Sequence, residues 1–206
     1  MLTGLALALR GDAHAAIEAC ERALRASPDR FETAFILACL GRAHLETGDA
    51  ARAAALLQEA VDLADEVRSL QFRAWFRTMF AEACLAHGEI ERADAALRAA
   101  LATSIDAHFP LGVALAQQAM GRVAATLGDR AAAVQRFGEA IETFAAVGAR
   151  FELARAQMER ARVACAGDDR ETARRDLAQA RAGFEALRVP SYVEQSDRLR
   201  ERLGAA

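Results

Sequence analysis

Residues 110–149 read PLGVALAQQAMGRVAATLGDRAAAVQRFGEAIETFAAVGA. The spacing predicts one helix over about Leu111 to Leu127 and a second over Arg130 to Val147. Between them stands Gly128-Asp129. A glycine there can take the left-handed conformation that ends a helix. The acid after it suits the start of the next helix, through capping and the helix dipole. Pro110 opens the block, where a helix start tolerates it and an interior would not. The block is an αα-hairpin, two helices joined by a tight turn.

The same hairpin recurs along the chain with a period of 40. Gly41, Ala81, Gly121 and Ala161 form one series, and Ala53, Ala93, Ala133 and Ala173 a second. Leu57, Leu97, Phe137 and Leu177 form a third, and Ala60, Ala100, Ala140 and Ala180 a fourth. An earlier copy supplies Gly4, Ala16, Cys20 and Ala23. Turns fall at Gly11-Asp12, Gly48-Asp49, Gly88-Glu89, Gly128-Asp129 and, one residue early, Gly167-Asp168. Pro28, Pro110 and Pro190 all lie at boundaries between copies. Small residues at the phase positions let paired helices approach closely. One hairpin cannot bury its apolar face alone, but stacked neighbours can.

The predicted fold is therefore all-α, with repeats at about 1–30, 31–69, 70–109, 110–149 and 150–189 in a single repeat domain. A closing helix follows at about 191–203. Its charged set of Glu194, Asp197, Arg198, Arg200, Glu201 and Arg202 contrasts with apolar Val193 and Leu199, as a terminal cap requires.

Composition agrees with this reading. Ala supplies 53 of the 206 residues, β-branched residues are sparse, and 53% of the chain is hydrophobic, so neither an all-β fold nor disorder fits. A formal charge of −3 and 6% aromatics argue against nucleic acid as a partner. Leu2 to Leu9 is too short, and lacks the basic flank, for a signal peptide, so no membrane partner and a cytoplasmic location are expected. The absence of Lys and Asn beside abundant Arg and Ala follows GC-rich codons and implies a high-GC bacterial genome.

No catalytic, cofactor-binding or metal-binding constellation emerges, and an enzyme is not expected. A chain without lysine cannot complete a P-loop, HExxH is absent, and no serine sits in a GxSxG elbow. Cys20, Cys39, Cys84 and Cys165 are too widely spaced for a zinc site and read as small buried hydrophobes. Asp168 and Asp169 are helix-start acids, and His14, His44, His87 and His108 fall at helix ends or packing positions.

The repeat resembles the tetratricopeptide repeats, on the residues Gly4, Gly11-Asp12, Ala16, Cys20, Ala23 and Pro28 of the first copy and Gly121, Gly128-Asp129, Ala133, Phe137 and Ala140 of the fourth. The match covers residues 1 to about 189. It departs where His44, Cys84, Ala124 and Ala164 replace the family's first-helix aromatic, and in a period about six residues longer than the commonest form. The Ala- and Arg-rich style is similar to repeat arrays at the C-terminal end of large bacterial signalling proteins with ATPase, cyclase or kinase modules. Met1 starting partway through a first helix fits such a parent chain.

The resemblance implies a right-handed α-solenoid whose first helices line a concave groove for a protein segment. On it fall Arg42, Glu82, Arg122 and Arg162, one position after the phase residue, with Phe35, Glu46, Trp75, Gln118, Arg155 and Met158 beside them. Arg and Trp suit interface anchoring. The C-terminal clustering of Arg122, Arg155 and Arg162 suggests an acidic segment in a protein or peptide partner. The family's clamp for C-terminal carboxylates uses Lys and Asn and is not expected here. The alternative is a regulatory segment whose partner is the rest of its own parent chain, or which senses a small ligand. An apolar edge at Leu2, Leu5, Leu7 and Leu9 is a candidate dimer contact.

Overall fold

A computed structural model of the chain describes residues 13–26, 29–167 and 169–205, with side chains up to residue 202. The expected features at Gly4, Gly11-Asp12, Pro28 and Asp168, and the apolar edge at Leu2 to Leu9, lie outside the described residues.

The described residues form helices without a strand: α1 Ala13–Ala26, α2 Arg30–Glu46, α3 Ala50–Glu66, α4 Leu70–Ala86 and α5 Ile90–Asp106, then α6 Pro110–Thr126, α7 Arg130–Val147, α8 Arg150–Ala166, α9 Arg170–Ala186 and α10 Pro190–Ala205. Two compact units divide the chain, residues 1–112 and 113–206. In the first, α2 packs on α3, α4 on α5, and α1 and α4 flank the α2–α3 hairpin. In the second, α8 packs on α9, with α7 and α10 on either side.

From α2 onward a helix starts every 20 residues, at 30, 50, 70, 90, 110, 130, 150, 170 and 190. The 40-residue period of the sequence is thus two structural steps of equal length. The turns follow the same equality. Gly48, Gly88, Gly128 and Gly148 have φ of 86°, 85°, 81° and 72°, and Arg68, His108 and Arg188 take φ of 53°, 48° and 55°. Turns within a hairpin and turns between hairpins both carry a left-handed residue at the same place. The same paired bonds close both kinds: Asp49 N–H donates to His44 O at 2.9 Å and Gly48 N–H to Leu45 O at 3.1 Å, while Val189 and Arg188 bond Phe184 O and Glu185 O at 3.0 Å each. These are Schellman closures.

The turn acids cap as expected at Asp49 and Asp129, whose Oδ1 atoms accept from Arg52 N and Ala132 N at 3.0 Å. Glu89 makes no such cap; its longer side chain accepts from Arg92 Nη1 at 2.9 Å instead. Gly167 also departs from expectation, with φ of −104°. Standing one residue early, it occupies the helix's closing position, and Asp169 caps α9 by accepting from Thr172 N at 3.1 Å. Pro110 and Pro190 are the first residues of α6 and α10.

All sixteen residues of the four series are buried. The first and third series meet where the helices of a hairpin cross: a Cβ on Gly41 would lie 2.6 Å from Leu57 Cγ, and one on Gly121 would lie 2.9 Å from Phe137 Cε1. Burial of each such large side chain contributes about 1.5–3 kcal/mol. In the second unit Tyr192, Val193 and Leu199 of α10 pack on the core of Met158, Leu177 and Phe184, which gives the last hairpin its cover.

Three glycine replacements in the second unit separate these effects by denaturant midpoint. Gly121→Ala should cost about 1–3 kcal/mol, because the methyl group meets the Phe137 ring. Gly128→Ala should cost about 1 kcal/mol through its backbone alone, since nothing lies within 4 Å of the new methyl. Gly138→Ala should stabilise by up to about 1 kcal/mol: it lies inside α7, where the methyl group finds only Arg160 Nη1 at 3.4 Å.

Candidate partner-binding faces

The expected groove residues of the first unit lie on α2 and α4. Arg42 Nη1 donates to Glu82 Oε2 at 2.9 Å, one full period away, and Arg42 Nη2 lies 2.8 Å from Glu46 Oε1. The side chains of Arg42 and Glu82 are only 19% and 15% exposed. Register alone brings these two charges together, since they hold the same position on consecutive first helices. Phe35 is buried rather than exposed. Its ring meets Phe72, Trp75 and Phe76 with centroids 6.0 to 6.4 Å apart, and Phe31 stands 4.9 Å from Phe72. Trp75 is half-buried, as are Phe31 and Phe72. Sequence reasoning passed over those two phenylalanines because neither falls at a groove position.

The remaining expected residues lie in the second unit, on α6 and α8. Arg122 grips Glu159 with two bonds, Nε to Oε2 and Nη2 to Oε1, each 2.9 Å. Such paired, charge-assisted bonds are the strong kind. Arg155 Nη1 donates to Glu152 Oε2 at 3.0 Å, with its guanidinium 5.9 Å from the centre of the Phe151 ring. Arg162 is exposed, and its Nη2 lies 3.9 Å from Met158 Sδ. Gln118 and Met158 are buried, which corrects the expectation of exposed contacts there. Gln118 Nε2 has no acceptor. Met158 belongs to the α8–α9–α10 core, where Ser196 Oγ approaches its sulfur at 3.8 Å.

Glu159 was not foreseen. Its position in earlier copies holds Cys39, Met79 and Ala119, so nothing in the repeat marks it as polar. A second charged pair lies within a hairpin: Arg160 Nε and Nη2 bond Asp176 Oδ2 and Oδ1 at 2.6 and 2.9 Å, and the Asp176 side chain is wholly buried. Leu40, Phe80 and Met120 occupy the position of Arg160 in other copies, so this ion pair replaces apolar packing.

The cysteines behave as buried hydrophobes. Cys20, Cys39 and Cys84 are buried and Cys165 half-buried, all as free thiols. Burial pushes the thiols of Cys20, Cys39 and Cys84 up, Cys39 to about 12 and Cys84 to about 11. Among the described residues no three His, Cys, Asp or Glu side chains converge as a metal site, and no helix is long and apolar enough to cross a membrane.

No family model matches the chain, and no curated protein matches it in sequence. Solved structures do match. A Rap protein complexed with competence and sporulation factor superposes with a TM-score of 0.86 at 16% identity, over 94% of this chain and 55% of its own. The Rap conjugation gene regulator of a plasmid, in complex with a Phr peptide, gives 0.79 at 16% identity over 91% and 52%. A signal-transduction ATPase with a tetratricopeptide repeat sensor, from Pyrococcus horikoshii, gives 0.66 at 18% identity over 94% and 30%. The fold is that of tetratricopeptide-like helical repeats. The chain spans about half the length of the two Rap proteins.

Two measurements follow from these side chains. Asp176→Ala should lower stability by about 3 kcal/mol, since it strands a half-buried guanidinium, and Asp176→Leu with Arg160→Met should recover most of that in a double-mutant cycle. In a thiol-reagent time course at pH 8, Cys165 should react first, while Cys20, Cys39 and Cys84 should wait for unfolding. The raised thiols contribute stability that is complete below the unfolded value of about 8.5 and is lost as pH climbs towards 11 to 12.

Proposed function

We propose that this chain is a non-catalytic scaffold that docks a peptide segment of a partner protein along the faces of its first helices. The observation that carries this reading is the treatment of those faces. The small and apolar residues of the four repeat series are consumed by helix packing. At this face Arg162 is exposed, while Arg42, Trp75, Glu82, Arg122 and Arg155 are partly exposed, and most of these side chains are held by named partners. A preformed polar face with an aromatic edge limits the ordering cost of binding. The Rap structures solved with a bound factor or peptide share the fold and support the same use. On this reading the partner is protein, and not nucleic acid or a membrane, and the location is cytoplasmic. An acidic partner segment is part of the proposal.

A second reading is favoured by one observation: the match to a much longer signalling ATPase that carries a tetratricopeptide repeat sensor, of which the chain spans 30%. Here the repeats bias the activity of a larger regulator to which they belong.

Selection from a random-peptide display library tests the first reading. Enriched peptides should bind saturably with dissociation constants on the order of micromolar or tighter, and those touching the first unit should shift the emission of Trp75, the sole tryptophan. Failure to enrich any peptide over an unfolded control would reject it. Flanking coding sequence for an ATPase or cyclase module would support the second.

A further inference from the structure

We infer that Arg162 and Arg202 together seat an acidic pair in the docked segment, an inference that rests on the peptide-binding reading above. Helices α8 and α10 start at Arg150 and Pro190, one period apart with α9 between them in the chain, so Arg162 and Arg202 hold the same position on two alternate helices of the second unit. The two helices touch, and Ser196 Oγ meets Met158 Sδ between them. Earlier arginines at this position are neutralised: Arg42 by Glu82 and Glu46, and Arg122 by both oxygens of Glu159.

Arg162 and Arg202 are exposed, and among the described residues neither has a carboxylate within ion-pair distance. Among the described residues, the acids of α8 and α10 other than Glu201 are committed elsewhere. Glu152 binds Arg155, Glu159 binds Arg122, Glu194 lies 3.7 Å from Arg198, and Asp197 holds Arg181 and Arg200. Glu201 adjoins Arg202 in the chain, but neighbours along a helix do not face each other.

An uncompensated guanidinium fork suits a carboxylate. Packed helices lie about 8–10 Å apart, and an extended chain advances about 3.3 Å per residue. Two acids separated by one or two residues would therefore meet the two arginines together. Two charges on that spacing suit carboxylates on one strand better than a single compact oxyanion.

The test is a peptide-display selection on the wild-type chain, followed by titration of the enriched peptides against variants checked for helicity. Enriched sequences should carry Asp or Glu pairs two or three positions apart. Arg162→Glu with Arg202→Glu should weaken them about tenfold, and the Gln double variant by less. Arg52→Glu with Arg98→Glu, exposed arginines on second helices, makes the same change in net charge and should leave binding intact. If the enriched peptides lack acidic pairs, or both double reversals weaken them equally, this inference is overturned while the scaffold reading stands. If no peptide is enriched, both fall.

Discussion

In the hairpins from α2 to α9 the first helix carries, in the buried series, a residue bearing at most a methyl group and the second a large apolar side chain. At Gly41 and Gly121 even the methyl group is excluded, because Leu57 and Phe137 fill its place. That contact sets how closely the pair can pack, and the rest of the architecture has to keep the crossing in register. Helices of about 17 residues joined by turns of three return each crossing point after 40 residues. Loss of one residue from a turn would rotate the next helix by about 100° and swing its buried stripe toward solvent. Strict 20-residue steps are therefore a packing requirement rather than a feature of the turns themselves.

The turns show what this requirement overrides. Left-handed backbone is easy for glycine and costs other residues about 1–2 kcal/mol. Arg68, His108 and Arg188 nonetheless adopt it, because the Schellman bonds and the buried helices on either side determine their conformation. These positions explain a gap in what could be read from sequence. The turns within hairpins announce themselves through Gly48, Gly88 and Gly128, so the 40-residue repeat was visible. The equivalent turns between hairpins carry a glycine only at Gly148, so the underlying 20-residue step was not. Gly167 misled in the other direction, being a glycine in a position that does not need one.

The same contrast runs through the candidate faces. Register placed Arg42, Glu82, Arg122, Arg155 and Arg162 on the first helices, since helical position follows directly from phase. It could not give burial or pairing, which depend on neighbours from other copies. Phe35 is buried by Phe72, Trp75 and Phe76, and Met158 by the closing helix. Glu159, which neutralises Arg122, breaks the pattern of its own series and so left no trace in it. Arg202 belonged, in the sequence reading, to the outer polar face of a cap. The 40-residue period already leads from Arg162 to Arg202, but the structure is what shows α10 starting in step with α8.

Pairing changes what an arginine on such a face can do. A ligand carboxylate approaching Arg122 must displace Glu159 from two 2.9 Å bonds, exchanging one carboxylate for another at little net gain. The displaced glutamate would then repel the incoming acid. Those pairs therefore act as struts: Arg42 with Glu82 in the first unit and Arg122 with Glu159 in the second each tie two first helices and fix that stretch of surface before anything binds. Affinity for an anion has to come from guanidinium groups whose charge is not already spent, and specificity from where along the repeat they stand. A face built in this way is rigid where its charges are matched and attractive where they are not, and both properties follow from which residue the repeat carries at one helical position.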